Sequence, residues 1–186
     1  IRFDEIDVTG LAVEYRNVGM VFQSYALFPN MSVRANVGYG LKVRKVPAAE
    51  RRQRVDEVLS LCRLTDYADR PTHALSGGQR QRAALARTLM EDKPIVLLDE
   101  PFSALDAQTR ALMQDLAVDV LRGKTVLIVT HDPAEAARLG HAIVVMTPDA
   151  LIACPTPEAQ VPRPVDDLAT LECQAALMRL LRGQAA

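Results

Sequence analysis

The sequence predicts an α/β fold, and three observations carry that reading. Ile95 to Leu98 is an uninterrupted apolar run that meets Asp99, Glu100 and then the strand-stopping Pro101. The stretch from Ala107 to Leu121 places Leu112, Met113, Leu116, Ala117 and Val120 toward one helical face, and after Gly123 it gives way to the strand-like run Thr125 to Val129. Asp132 and Pro133 then cap and open a further helix ahead of a short strand over Ala142 to Met146. Strand and helix alternate, which is the pattern of layered α/β proteins.

The remaining elements follow in order. Residues 1–23 hold two short apolar patches; the second, Val18 to Phe22, reads as a buried strand that delivers Gln23 to a strand exit. From Ser24 to about Leu64 loop and helix mix, with Val55, Val58, Leu59 and Cys62 near helical spacing after Pro47. Six basic residues against one acid between Lys42 and Arg54 read as a solvated or partner-facing helix surface. Ser76 opens a helix with Ala83, Leu85, Leu89 and Met90 inward, and Gln79, three residues on, can complete a capping box. Beyond Met146 five prolines punctuate a loop-rich section before a final helix that carries Leu168, Leu171, Ala175, Met178 and Leu181 and is expected to dock.

Composition narrows the class. The chain has 186 residues, 49% hydrophobic and 24% charged, with 22 Lys plus Arg against 23 Asp plus Glu, which argues against disorder and against a basic nucleic-acid module. Three cysteines at Cys62, Cys154 and Cys173 have no metal-ligand spacing and fit a reducing compartment. The apolar runs are only a few residues long and no secretion signal opens the chain, so any membrane role is expected to be peripheral.

The strongest local string is Leu75, Ser76, Gly77, Gly78, Gln79. Two adjacent glycines permit close backbone approach, and first-turn amides with the helix dipole offer a place for an anion; an ordinary cap or turn accounts for the same string taken alone. The order of the other segments decides between them. Leu75 to Gln79 resembles the signature motif of the nucleotide-binding subunits of ATP-binding-cassette (ABC) transporters. Val21 to Ser24 resembles the Q-loop, within a string, FQSYALFPNMSVRANV, that looks like bacterial solute importers. Ile95 to Leu98 with Asp99 and Glu100 resembles the Walker B strand and catalytic glutamate. Ser103, Ala104, Leu105 and Asp106 fit the D-loop, and His131 in VTHD fits the switch histidine.

The resemblance implies a P-loop NTPase of the ABC-ATPase fold: a partial ATPase domain over 1–147 with a helical signature subdomain at about 26–90, and a loop-rich extension with a helix over 148–186. It implies ATP and Mg2+ as cofactors. Asp99 and Gln23 are the expected metal-side residues, Glu100 orients the attacking water, and His131 and Gln23 complete the catalytic set. Adjacent acids suit the divided tasks of holding a metal through its water shell and positioning a nucleophile. Ser76, Gly77, Gly78 and Gln79 are expected to meet nucleotide bound to a second ATPase subunit in a head-to-tail dimer, with Ser103 to Asp106 coupling the two sites. Implied partners are transmembrane permease subunits and a solute-binding protein, without nucleic acid, and the implied place is the cytoplasmic face of the cell membrane.

One part of that machinery is missing from the sequence. A P-loop reads G-x-x-x-x-G-K-[ST], and no complete copy occurs among the 186 residues. The near match ending at Gly123, Lys124, Thr125 has Val118 where the first glycine belongs and precedes a strand instead of leaving one, so it is expected to be a helix-ending loop. The methionine-free start is read as a cut after the true phosphate loop, and the chain is expected to turn over little ATP alone. The alternatives are a degenerate subunit lending its signature surface to an intact partner, or, further off, a non-transport ABC protein.

Overall fold

The computed structural model describes residues 1–3, 5–148 and 150–183. Seven strands and seven α-helices are described: β1 (Arg2–Phe3), β2 (Ile6–Asp7), β3 (Val18–Val21), α1 (Val33–Val37), α2 (Tyr39–Val43), α3 (Ala48–Leu61), α4 (Gly77–Met90), β4 (Ile95–Asp99), α5 (Ala107–Val120), β5 (Thr125–Val129), α6 (Pro133–Leu139), β6 (Ile143–Met146), β7 (Leu151–Cys154) and α7 (Leu168–Leu181). The chain divides into two compact units, Ile1–Val129 and Thr130–Ala186.

In the first unit β3, β4 and β5 form a parallel sheet in that order, with Val21 opposite Leu98 and Asp99 opposite Val129. Parallel neighbours need crossovers, and these are helical: α1 to α4 lie between β3 and β4, and α5 lies between β4 and β5. Val21, Val96 and Leu98 are buried, as the apolar runs require. The sheet and α4 approach closely at Gly19, where a Cβ would lie 2.8 Å from the Thr88 methyl carbon. Glycine permits that approach, and Thr88 Oγ1 donates to the Met20 carbonyl at 3.3 Å.

Helices α1 to α4 build a core of their own from Val33, Val37, Leu41, Val55, Leu59, Leu64, Ala83 and Met90. The basic stretch lies on its outside as expected. Arg54 pairs with Glu50 at 3.5 Å, while Arg34 pairs with Asp56 and with Asp69. The Gly123 loop does end α5: Gly123 has φ +79°, Lys124 Nζ reaches Asp92 Oδ1 at 2.9 Å, and β5 follows. Lys124 therefore closes a loop and is spoken for by a carboxylate, where the sequence placed it beside the helix end only.

The second unit holds α6, the antiparallel pair β6 and β7, and α7 around Ala137, Ile143, Val145 and Leu177. Three features go beyond the sequence reading. First, β6 pairs with β7, so that strand and the segment after it lie in one compact unit, Thr130–Ala186. Positions 149 and 184–186 of that segment lie outside the described residues. Second, β7 had been read as loop, because four apolar residues between prolines carry no period. Third, α7 buries Thr170 and Leu177, with Cys173 and Leu180 partly covered, while Leu168, Leu171 and Leu181 are exposed. The helix is apolar on more than one side, so spacing did not select the face; packing against α6 and β6 did. Leu112 of α5 is likewise exposed, and Gln114 is buried in its stead.

Candidate functional site

Glu100 stands one residue beyond β4, and its backbone leaves the strand in the left-handed region at φ +45°. A side chain rarely adopts that conformation without support from its surroundings. Here the Glu100 amide donates to the Val129 carbonyl at 2.8 Å, extending the β4–β5 ladder by one bond. Its own carbonyl accepts from the Ser103 hydroxyl at 3.0 Å and the Ser103 amide at 3.3 Å. Pro101 then ends the strand, and Phe102 is buried at 1% exposure, which fixes the turn from below.

The strand register brings Gln23 to the same end of the sheet. Gln23 Nε2 donates to Glu100 Oε2 at 2.8 Å, across 77 residues of chain. Asp99 precedes Glu100 at the tip of β4 and is half-buried. The tip of β4 thus carries two adjacent acids, the second of which accepts from the Gln23 amide nitrogen.

The loop after Gln23 is held by residues that the sequence reading did not single out. Asn36 is fully buried; its Oδ1 accepts from the Phe28 amide at 2.8 Å, and its Nδ2 donates to the Phe28 and Ser32 carbonyls, each at 3.1 Å. Arg87 of α4 donates to the Ala26 carbonyl at 2.7 Å and lies 5.6 Å from the Phe28 ring. An Asn flanked by buried valines was the available signal, because a buried amide must find partners.

The Ser76 to Gln79 string forms the cap that its spacing predicts. The Gln79 amide donates to Ser76 Oγ at 3.3 Å, and Gln79 Oε1 accepts from the Ser76 amide at 2.9 Å. Both halves of the capping box are present, so the start of α4 is rigid. The glycines face the segment that sequence assigned to dimer coupling. A Cβ on Gly77 would lie 3.8 Å from both the Ala104 carbonyl oxygen and Leu105 Cδ2, and one on Gly78 would lie 2.8 Å from Thr109 Cγ2. Asp106 caps α5 through the Thr109 amide at 3.0 Å, and that bond holds its carboxyl below the usual carboxylate value although it is exposed to water.

His131 belongs to the second unit and is exposed. Asp132 beside it accepts from the Ala134 amide at 2.9 Å, and Pro133 takes the first helical position, as the sequence led one to expect. The structure therefore brings Gln23 to Glu100, and the signature string to Ser103–Asp106, within the first unit, and sets His131 at the head of α6 in the second.

These residues fit part of a magnesium–nucleotide site. Among the described residues no cluster of three or more His, Cys, Asp or Glu could hold a metal alone. Mg2+ suits this edge because it is ordinarily held by one or two carboxylates with substrate phosphates and water. Asp99 and the Gln23 amide oxygen are hard oxygen donors of that kind. The phosphate-holding lysine and its glycine loop are not in the sequence.

Residues 1–103 match the family described as ABC transporter. The chain is 44% identical over 160 residues to the putrescine transport ATP-binding protein PotG of Escherichia coli, covering 85% of this chain and 42% of that protein. It is 46% identical over 166 residues to the sulfate/thiosulfate import ATP-binding protein CysA of Nocardia farcinica, covering 87% and 49%. Among solved structures it is similar to a dimeric ATP-binding cassette in a post-hydrolysis state bound to ADP and Pi, at 35% identity and a TM-score of 0.63, covering 73% of this chain and 63% of that one. The chain spans less than half the length of these two transport proteins. No described helix is long and apolar enough to cross a membrane. With residues 1–103 matching the family model and the fold shared with a solved ATP-binding cassette, the chain belongs to the ABC transporter family and has the α/β fold of its ATPase domains.

Proposed function

We propose that this chain is the later part of the ATP-binding subunit of an ABC import complex, in which ATP binding and hydrolysis drive a solute across a membrane through permease subunits. The observation that carries the reading is the bond from Gln23 to Glu100 at the end of the parallel sheet. It joins the loop that resembles a sensor to the acid that resembles the water-orienting group. Glu100 accepts a hydrogen bond from Gln23 and would orient a water molecule, while Asp99 and the Gln23 oxygen would hold Mg2+. Bound magnesium would supply charge neutralisation at the transferred phosphate. His131 would donate to the terminal phosphate. Ser76 to Gln79 would present first-turn amides to nucleotide held by a second subunit, with Ser103 to Asp106 behind them as the coupling segment.

The subunit would work on the cytoplasmic face of the membrane, as a dimer beneath the permease and with a solute-binding protein upstream. The relatives are named for a polyamine and for inorganic sulfur anions, which supports a reading in which this chain would carry the engine and other subunits would choose the solute. The phosphate loop must come from outside this sequence. Two observations test this: the coding sequence ahead of Ile1 should contain a G-x-x-x-x-G-K-[ST] string, and Mg-ATP turnover should be robust with that segment joined and near background without it. Robust turnover by the 186-residue chain that vanishes in Glu100→Gln would overturn the division of labour.

The intact capping box beside an absent phosphate loop favours one other reading, a subunit that only lends its signature surface. It predicts ATP-dependent association with an intact ATPase subunit and no hydrolysis at a site of its own.

A further inference from the structure

The residues on both sides of His131 are tied by side chains to which no role has yet been given. Thr130 Oγ1 donates to Glu135 Oε2 at 2.7 Å and accepts from the Asp132 amide at 3.0 Å. Glu135, in a seven-residue helix, is 4% exposed, and the Thr130 hydroxyl is one of the groups that meet its buried carboxylate. Burying a carboxylate is costly unless its oxygens are hydrogen-bonded, so the bond to Thr130 is a structural commitment of this turn.

The far end of α6 is gripped by the C-terminal segment. Arg163 is 2% exposed and directs its guanidinium at main-chain oxygens: Nη1 at Ala137, 2.7 Å, and Gly140, 2.9 Å; Nη2 at Pro157, 2.7 Å; Nε at Ala159, 3.0 Å. The Arg163 amide also donates to the Arg138 carbonyl at 3.0 Å, and Arg138 Nε donates back to the Arg163 carbonyl at 3.1 Å. The last carbonyls of a helix lack intrahelical partners and form its negative end, so a rigid cationic fork both satisfies and attracts them.

We propose that Glu135 and Arg163 are positioning residues for His131, with Arg163 supplied by the C-terminal segment of the same unit. A seven-residue helix is too short to keep its direction by its own hydrogen bonds. Its heading is set at one end by Thr130 with Glu135 and at the other by Arg163, and the imidazole of His131 is carried at the head of that element. The proposal rests on the reading of His131 as the phosphate-contacting residue.

The test uses the whole chain, isotope-labelled, and reads the ring signals of His131 together with amide hydrogen exchange over 130–135. Leu177 and Ile143 methyl signals report whether the second unit is folded. Glu135→Gln keeps an oxygen that accepts from Thr130 and is expected to leave the His131 signals as in the wild type. Glu135→Leu and Arg163→Met are expected to shift them and to speed exchange over 130–135 by about tenfold. Arg163→Lys is expected to fail as a rescue, because one ammonium cannot span four oxygens. Where a variant loses its Leu177 signals, Thr130→Val removes the same bond from the hydroxyl side and carries the same expectation. Unchanged His131 signals and exchange in Thr130→Val and in a folded Arg163→Met overturn the proposal, as does a Glu135→Gln variant disturbed as much as Glu135→Leu. In a subunit completed with its phosphate loop, His131→Ala and Arg163→Met should both lower kcat with little change in KM. An unchanged kcat in His131→Ala would sink the reading of His131 while the ring signals still decide the positioning.

Discussion

The side-chain amide of Gln23 donates to Glu100 Oε2 at 2.8 Å, so the exit of one parallel strand is bonded to the exit of its neighbour. In a subunit completed with a phosphate loop, Glu100→Gln is expected to lower ATP turnover by about a hundredfold or more, the usual effect of losing a positioned acid–base group. ATP should still bind. Gln23→Ala should lower turnover by less, since it removes a contact to Glu100 and leaves the carboxylate. Phosphate release and filter retention of labelled ATP separate the two effects.

Gly78 lies where a Cβ would be 2.8 Å from Thr109 Cγ2, with the Thr109 amide fixed to Asp106. Gly78→Ala is therefore expected to destabilise the first unit by about 1–3 kcal/mol, the common cost of overpacking. Thr109→Ser deletes the offending methyl group, so the double variant should recover most of the loss. Urea midpoints of the four proteins measure the coupling; additive effects would show that α4 and α5 accommodate the methyl in another way.

Asp106 and Asp167 each cap a helix, and backbone and side-chain bonds to Thr109 and Thr170 respectively hold their carboxyls below 3.8. A folded-state pKa below the unfolded one means that the carboxylate form is favoured by folding. That stabilisation is complete above the unfolded value and is lost as pH falls through the folded value, so the window lies at and below about pH 4. Asp106→Asn keeps the capping oxygen and loses the titration. Its melting temperature should differ from the wild type most at pH 7, and the difference should shrink as pH falls below about 4 and the wild-type cap takes up its proton.

Cys62 is fully buried, and burial pushes its thiol up to about 12. The thiolate is the reactive form, so Cys62 should resist a disulfide reagent in the folded chain. Cys154 and Cys173 are only partly covered. Two thiols are expected to react before denaturant and the third only after it. Three reacting at once would show that the core around Leu59 and Leu64 opens readily.

The local geometry around the candidate site was legible where it depends on neighbouring residues. Ser76 and Gln79 lie one helical turn apart, so their reciprocal cap is written in spacing, as is the stop that Pro101 imposes behind Asp99 and Glu100. The strand at Thr125–Val129 was read to the residue, since five consecutive apolar or β-branched residues between a glycine loop and a polar turn leave little choice. The supports of the site were not legible. Asn36, Arg87, Glu135 and Arg163 make bonds to backbone atoms or to a hydroxyl whose choice is made by packing, some nearby and some distant in the chain, and no apolar period marks such polar partners.

By itself the sequence determined the strand–helix alternation from Ile95 to Met146, the family resemblance and the absence of a complete phosphate-loop string among the 186 residues, because each depends on residue type at short, fixed spacing. Only the tertiary structure decided that Gln23 bonds Glu100, that β6 pairs with β7 and that α7 turns Leu177 inward and Leu168 out. Those outcomes depend on register and on which of several apolar faces finds a partner, and these are settled when separate segments pack and compete for the same buried surface.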